Sequence, residues 1–149
     1  MELIDLIPNA MSFRIVSTLD LPDGDEPPAG FTGRVRGRSE GRIASVAWYQ
    51  DGVLHNPGRT HPAFRRFRLD GSVKFEMFYQ QGRLQDPAAD QPAVRGYYAD
   101  GGVHYEERWT DGRRHDGADG TAAVRKWRAD GTLRHELRYH HGSRLAIPA

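Results

Sequence analysis

Three groups of residues in this chain have the types and spacing to do chemistry. His115, Asp116 and Asp119 crowd into one short loop and are all metal-ligand types. Asp and Gly are also turn formers, and the equivalent loop at Asp86–Asp90 has no histidine, so the set reads as turn chemistry and no metal is expected. His140 and His141 precede a glycine near the end of the chain and read as exposed. Arg34, Arg36 and Arg38 alternate, so a strand points them to one side. Arg66 and Arg68 are expected to follow on that side in the next unit. Five guanidiniums on one patch suit a phosphate or carboxylate partner. The plainer account of the same residues is a solvated edge, helped by Glu40.

The third group recurs. Arg65, Arg95 and Arg125 each precede a glutamate by eleven residues: Glu76, Glu106 and Glu136. A catalytic glutamate is ordinarily singular and desolvated, so a repeated pair reads as a structural ladder rather than acid–base machinery. Phe67, Tyr97 and Trp127, thirty residues apart, offer surfaces for stacking nucleobases. They serve equally to stack on one another and on neighbouring cations. No nucleophile-plus-base arrangement or phosphate loop is present, and the chain reads as a non-enzyme without a cofactor or small-molecule substrate.

The elements that position these residues come from an internal repeat. Pro62–Gly71, Pro92–Gly101 and Ala122–Gly131 match one another at an offset of thirty, and Gly82, Gly112 and Gly142 follow eleven residues after each copy. Gly41 and Gly52 mark a degenerate first copy. The chain therefore divides into a cap over residues 1–31 and four units, 32–61, 62–91, 92–121 and 122–149. Ser12–Leu21 reads as a strand within the cap and 22–28 as a loop; only Glu2–Ile7 hints at a helix. The expected fold is all-β: tandem β-hairpin units forming an elongated or curved antiparallel sheet.

Asp70-Gly71, Asp100-Gly101 and Asp130-Gly131 carry the sequence of a two-residue type I′ turn. That turn pairs Arg95 with Glu106 and Tyr97 with His104, and likewise Phe67 with Lys74 and Trp127 with Arg134. In the first unit it places Val35 opposite Val46, a charge pair exchanged for an apolar one. A three-residue loop with a bulge shifts the pairing by one. On the opposite face Val73, Phe75, Met77 and Tyr79, then Val103, Tyr105 and Trp109, then Leu133, His135, Leu137 and Tyr139, are expected to form a continuous core stripe, interrupted by Glu107.

Composition agrees with a thin, wet sheet. Of 149 residues 38% are hydrophobic, Gly 17 and Pro 9 imply many turns, and mean hydropathy is −0.72. The absence of cysteine excludes disulfides and thiolate metal sites. The first residues lack a basic segment followed by an apolar run, and no stretch approaches a membrane span, so a soluble cytoplasmic protein is expected. Net charge is +1 and the isoelectric point about 8.2, low for a nucleic-acid reader.

The aromatic–x–Asp-Gly segments, such as Tyr97–Gly102, and the tryptophan before the second glycine in Trp109–Gly112 resemble variant MORN repeats. A decayed His-Arg-x-Asp-Gly-Pro-Ala pattern at His115–Ala123 and His55–Ala63 adds to the likeness, which covers about residues 32–149. The thirty-residue unit is longer than a simple MORN repeat, and no catalytic residues come with the family. The resemblance implies a β-repeat scaffold. Some bacterial members are antitoxin components, and eukaryotic MORN repeats are linked to membranes and protein scaffolding. The functional expectation is a protein-interaction module, antitoxin- or immunity-like, that meets an acidic protein surface through a repeat face. The alternative is a peripheral binder of anionic surfaces, membrane lipid or nucleic acid, through the arginine patch.

Overall fold

The computed structural model describes residues 3–8 and 13–146, with side chains from residue 17 onward. No helix occurs among them; the fold is all-β. The strands in chain order are β1 (Leu3–Pro8), β2 (Phe13–Pro22), β3 (Gly33–Ser39), β4 (Arg42–Gln50), β5 (Val53–Leu54), β6 (Phe64–Phe67), β7 (Val73–Met77), β8 (Tyr79–Gln80) and β9 (Arg83–Leu84). They continue as β10 (Val94–Tyr97), β11 (Val103–Glu107), β12 (Trp109–Thr110), β13 (Arg113–Arg114), β14 (Val124–Trp127), β15 (Leu133–Leu137), β16 (Tyr139–His140) and β17 (Ser143–Arg144). The hinted helix is a strand, β1, with Glu2 outside the described residues. Ser12, at the start of the expected cap strand, also lies outside them, as do residues 147–149 of the last unit.

One sheet runs β1-β2-β3-β4-β6-β7-β10-β11-β14-β15, with β5 beside β4. Every neighbour is antiparallel except β2 and β3, which pair in parallel with Asp20 opposite Arg36. The parallel pair departs from the expected antiparallel sheet: β2 enters as a separate strand laid on the edge of the first hairpin. Short ribbons β8–β9, β12–β13 and β16–β17 form a second column. These ribbons are tied to their neighbours by backbone bonds thirty residues apart, such as Gly82 N to Leu54 O, Gly112 N to Leu84 O and Gly142 N to Arg114 O.

The two turns of each unit have different chemistry. At 69–71, 99–101 and 129–131 the loop has three residues: the amides of Arg68, Tyr98 and Arg128 donate to the carbonyls of Ser72, Gly102 and Thr132. Only the glycine has positive φ, while Asp70, Asp100 and Asp130 accept the amide two residues on through Oδ1. The expected type I′ turn is found at the second position instead. Asp51-Gly52, Gln81-Gly82, Asp111-Gly112 and His141-Gly142 all have two residues of positive φ, as does Glu40-Gly41 in the first unit.

The extra loop residue corrects part of the expected register. Tyr97 pairs with Val103, Phe67 with Val73 and Trp127 with Leu133, leaving His104, Lys74 and Arg134 unpaired at a bulge. Arg95–Glu106, Arg65–Glu76 and Arg125–Glu136 lie beyond the bulge and pair as expected. In the first unit Val35 pairs with Ala47, and Arg36 faces Val46. The turn there is one residue shorter, so the counterpart of Arg65 is Arg36, and only the glutamate has been exchanged.

The tightest packing also differs from the expected stripe. Trp48, Phe78 and Arg108, thirty residues apart, are buried together with Ala63, Ala93, Ala123, Pro92, Val94 and Val124. Phe78 sits in the break between β7 and β8, where strict alternation ends. Its amide donates to Ala93 O, as Trp48 N does to Ala63 O and Arg108 N to Ala123 O, so each unit closes on the next. The stripe residues Phe75, Met77, Tyr105 and Leu137 are half-buried, and Leu133 is 44% exposed. Tyr105 lies flat over Gly96, leaving no room for a Cβ there.

Candidate functional site: a carboxylate–arginine ladder ending at an open edge

Alternation on neighbouring strands brings one residue of each main strand from β2 to β15 into a single lateral row. The order is Asp20, Arg36, Val46, Arg65, Glu76, Arg95, Glu106, Arg125 and Glu136. Charge alternates along it except at Val46. Arg36 Nε donates to Asp20 Oδ1 at 2.6 Å and Arg65 Nε to Glu76 Oε2 at 3.1 Å. Glu106 is held from both sides, by Arg95 Nη2 at 2.6 Å and Arg125 Nη2 at 2.9 Å, and its side chain is 9% exposed. Tyr97 extends from the same face to donate its hydroxyl to Glu76 Oε1 at 2.6 Å. Burial, and then Glu76, push the Tyr97 phenol up to about 12. The Arg125 guanidinium lies over Trp127 at 5.1 Å. The aromatics expected to stack on cations therefore do so in part, and one of them also serves the ladder.

The five arginines of the candidate patch do not share one face. Arg36 and Arg38 both hold Asp20, at 2.6 and 3.0 Å. Their neighbour Arg34 lies over Trp48 at 5.6 Å. Arg66 sits opposite Ser45 and Phe75, in the row on the other side of the sheet, and pairs with Asp23 at 3.0 Å. Arg68 donates to the carbonyls of Val73 and Tyr97. The side chain that continues the Arg36 row is Arg65, because the shorter first turn shifts the repeat offset by one. Asp20 and Asp23 are held below the usual carboxylate range, chiefly by hydrogen bonds from Arg36 and Arg66.

The loop aspartates have structural partners. Asp116 Oδ1 accepts the amides of Ala123 and Tyr139, as Asp86 does for Ala93 and Trp109 and Asn56 for Ala63 and Tyr79. Asp119 accepts from Thr121 in a three-residue turn. His115, Asp116 and Asp119 are thus not gathered around one point. Arg108, 3% exposed, occupies the place of Phe78 and Trp48, and it lies between Asp86 at 3.8 Å and Asp119 at 3.7 Å. Burial raises the Asp86 carboxyl to about 6, against the lowering pull of two amides and Arg108. The sequence signal for the burial of Arg108 is its thirty-residue alignment with Phe78 and Trp48. Glu107, which interrupts the apolar stripe, is paired with Arg114 at 2.9 Å and accepts a hydrogen bond from the Trp109 indole at 3.1 Å.

The row ends at β15, whose residues are mostly exposed. In the preceding units the equivalent strands are covered. On β7, Met77, Glu76 and Phe75 meet Val94, Arg95 and Gly96 of β10. On β11, Glu107, Glu106 and Tyr105 meet Val124, Arg125 and Lys126 of β14. Among the described residues no strand lies on the outer edge of β15. No described helix is long and apolar enough to cross a membrane. No protein-family model matches the chain, and no curated protein or solved structure is significantly similar to it.

Proposed function

We propose that the chain is a non-enzymatic protein-interaction module that takes an extended segment of a partner protein onto the outer edge of β15. The carrying observation is that the same edge is filled twice within the chain, at β7 by β10 and at β11 by β14, each time by a small–apolar–Arg segment whose arginine meets a glutamate. Leu137, Glu136 and His135 stand where Glu107, Glu106 and Tyr105 receive Val124, Arg125 and Lys126. A strand added there gains main-chain hydrogen bonds for affinity and one charge pair for register. The edge is better supported than the expected repeat face, because Arg36, Arg65, Arg95 and Arg125 on that face each already hold a carboxylate. An antitoxin- or immunity-like role is the form of this activity that the MORN resemblance implies. Binding to anionic surfaces through Arg34, Arg36, Arg38, Arg66 and Arg68 is less well supported, since Asp20 and Asp23 already occupy three of the five.

The test is a labelled peptide with the sequence of residues 122–128, titrated with the whole chain and followed by fluorescence anisotropy. Saturable binding is expected, lost in Glu136→Arg and regained by that variant when the peptide carries Arg125→Glu. No saturation, or equal affinity of both proteins for both peptides, refutes the edge.

A further inference from the structure

His115, His140 and His141 come together at the end of the second column. Each offers a ring nitrogen, and these atoms all lie within 4.8 Å of one another. Ring centroids stand 4.9 Å apart for His115 and His140, 4.6 Å for His115 and His141, and 4.3 Å for His140 and His141. The hairpin of β16 and β17 presents two of these rings. Three bonds clamp it to the residues around His115: Asp116 N to Tyr139 O at 2.9 Å, Gly142 N to Arg114 O at 2.8 Å and His141 N to His115 Nδ1 at 3.0 Å.

The fold does not require imidazoles here. In the first unit His55 Nδ1 accepts the amide of Gln81, and in the next Gln85 Oε1 accepts the amide of Asp111, so a glutamine makes the same clamp. The places of His140 and His141 are filled by Gln80 and Gln81 and by Thr110 and Asp111 in the earlier hairpins. Only where the third unit meets the fourth do all three positions carry histidine. Both hairpin rings are exposed and His115 is half-buried, so an ion has access from solvent.

We propose that His115, His140 and His141 form a binding site for a divalent transition ion of the zinc class. Imidazole nitrogens suit zinc, copper and nickel, whereas magnesium and calcium demand oxygen ligands. Zinc–nitrogen bonds of about 2.0–2.1 Å in a tetrahedron put the ligand atoms roughly 3.4 Å apart. The exposed rings of His140 and His141 reach that spacing by side-chain rotation, and water completes the shell. One consequence concerns the proton. In the metal-free protein His115 Nδ1 accepts the His141 amide, so the neutral ring carries its proton on Nε2. A metal at Nδ1 displaces that amide, and a metal at Nε2 sends the proton to Nδ1 with the same result. Loading therefore releases the His141 amide.

Calorimetric titration of the whole chain with zinc chloride is expected to give one equivalent bound, and magnesium chloride none. His115→Gln and His140→Gln copy residues the earlier units already use, so the metal-free melting temperature stays unchanged. Zinc affinity falls by roughly ten- to a hundredfold in each, the scale on which even ligand-supporting residues tune metal sites. His55→Gln leaves it unaltered. Amide exchange at His141 accelerates on zinc addition in the parent chain and not in His115→Gln. No zinc uptake, or full zinc affinity in either variant, overturns the site. An unchanged His141 exchange rate under zinc saturation overturns the part assigned to His115.

Discussion

Replacing Glu106 with glutamine tests the ladder where the structure makes it strongest. The substitution keeps shape and one hydrogen-bond acceptor but removes the charge shared by Arg95 and Arg125, at 2.6 and 2.9 Å. At an effective dielectric near 20, each such attraction is worth about 4 kcal/mol at 4 Å. Against the two stands the cost of desolvating a carboxylate that is 9% exposed, several kcal/mol. Breaking a buried pair by deleting one partner typically costs about 3–5 kcal/mol, and both arginines here keep about a third of their exposure, so a loss of roughly 2–4 kcal/mol is expected. Glu136 has one arginine opposite it in register and lies on the exposed edge strand, so Glu136→Gln is expected to cost about 0–1 kcal/mol. Urea denaturation followed by tryptophan fluorescence measures both. Arg95→Gln combined with Glu106→Gln is expected to lose less than the sum of the singles, because the pair is in contact. Deleting Arg95 recovers only part of the Glu106 loss, since Arg125 remains. Equal losses for the Glu106 and Glu136 variants, or strict additivity, refute the ladder.

Two further outcomes are expected. Gly96→Ala drives a Cβ into the Tyr105 ring and costs about 1–3 kcal/mol, while Gly102→Ala, whose nearest obstacle is the Asp100 carboxylate at 3.2 Å, shifts stability by less than about 0.5 kcal/mol; thermal melts compare them. Asp86, raised by burial to about 6 from an unfolded value near 3.9, keeps its proton in the folded state after the unfolded chain has lost it. Its contribution therefore falls as pH rises from about 4 to 6 and then levels off, by no more than about 3 kcal/mol. Asp86→Asn retains both amide contacts, as Asn56 does, and flattens that window in urea midpoints measured at successive pH values. An identical slope in parent and variant contradicts the assignment.

The repeat made much of the sheet legible because the same Asp-Gly and Arg–x₁₀–Glu spacing returns every thirty residues, and cross-strand pairing converts that spacing into register. Arg95–Glu106 survives either turn type, since the bulge falls between it and the loop. The turn itself was misread because Asp-Gly serves two geometries. In a type I′ turn the aspartate takes positive φ, whereas here it stays in the ordinary region and accepts an amide. The core was misplaced because alternation predicts faces within a strand, and Phe78 packs at a break between strands. The arginine patch was assembled from alternation on β3 and a whole-unit offset. The shorter Glu40-Gly41 turn changes that offset and sends Arg66 to the other face. The histidine cluster joins residues 115 and 140, which are brought together only by the second column.

The first unit shows how the row is closed on one side. Its glutamate has become Val46, leaving Arg36 and Arg65 facing the same apolar residue from either side. Arg65 turns to Glu76, and Arg36 turns outward to Asp20 on the parallel strand β2, so the cap supplies the missing carboxylate. Asp20 is 39% exposed, which limits Asp20→Asn to a loss of about 1 kcal/mol. Hydrogen bonding from Arg36 holds its carboxyl low, so its contribution is present above the ordinary aspartate range and disappears as pH falls through the lowered value. Adding Val46→Glu to that variant puts a carboxylate where Glu76 and Glu106 stand, within the row between two arginines. The double variant is expected to recover most of the loss, and to keep it at pH 7 while losing it again in molar salt. A double variant less stable than Asp20→Asn alone shows that Val46 is held for its packing, and that the row is a sequence of separate pairs rather than a shared ladder.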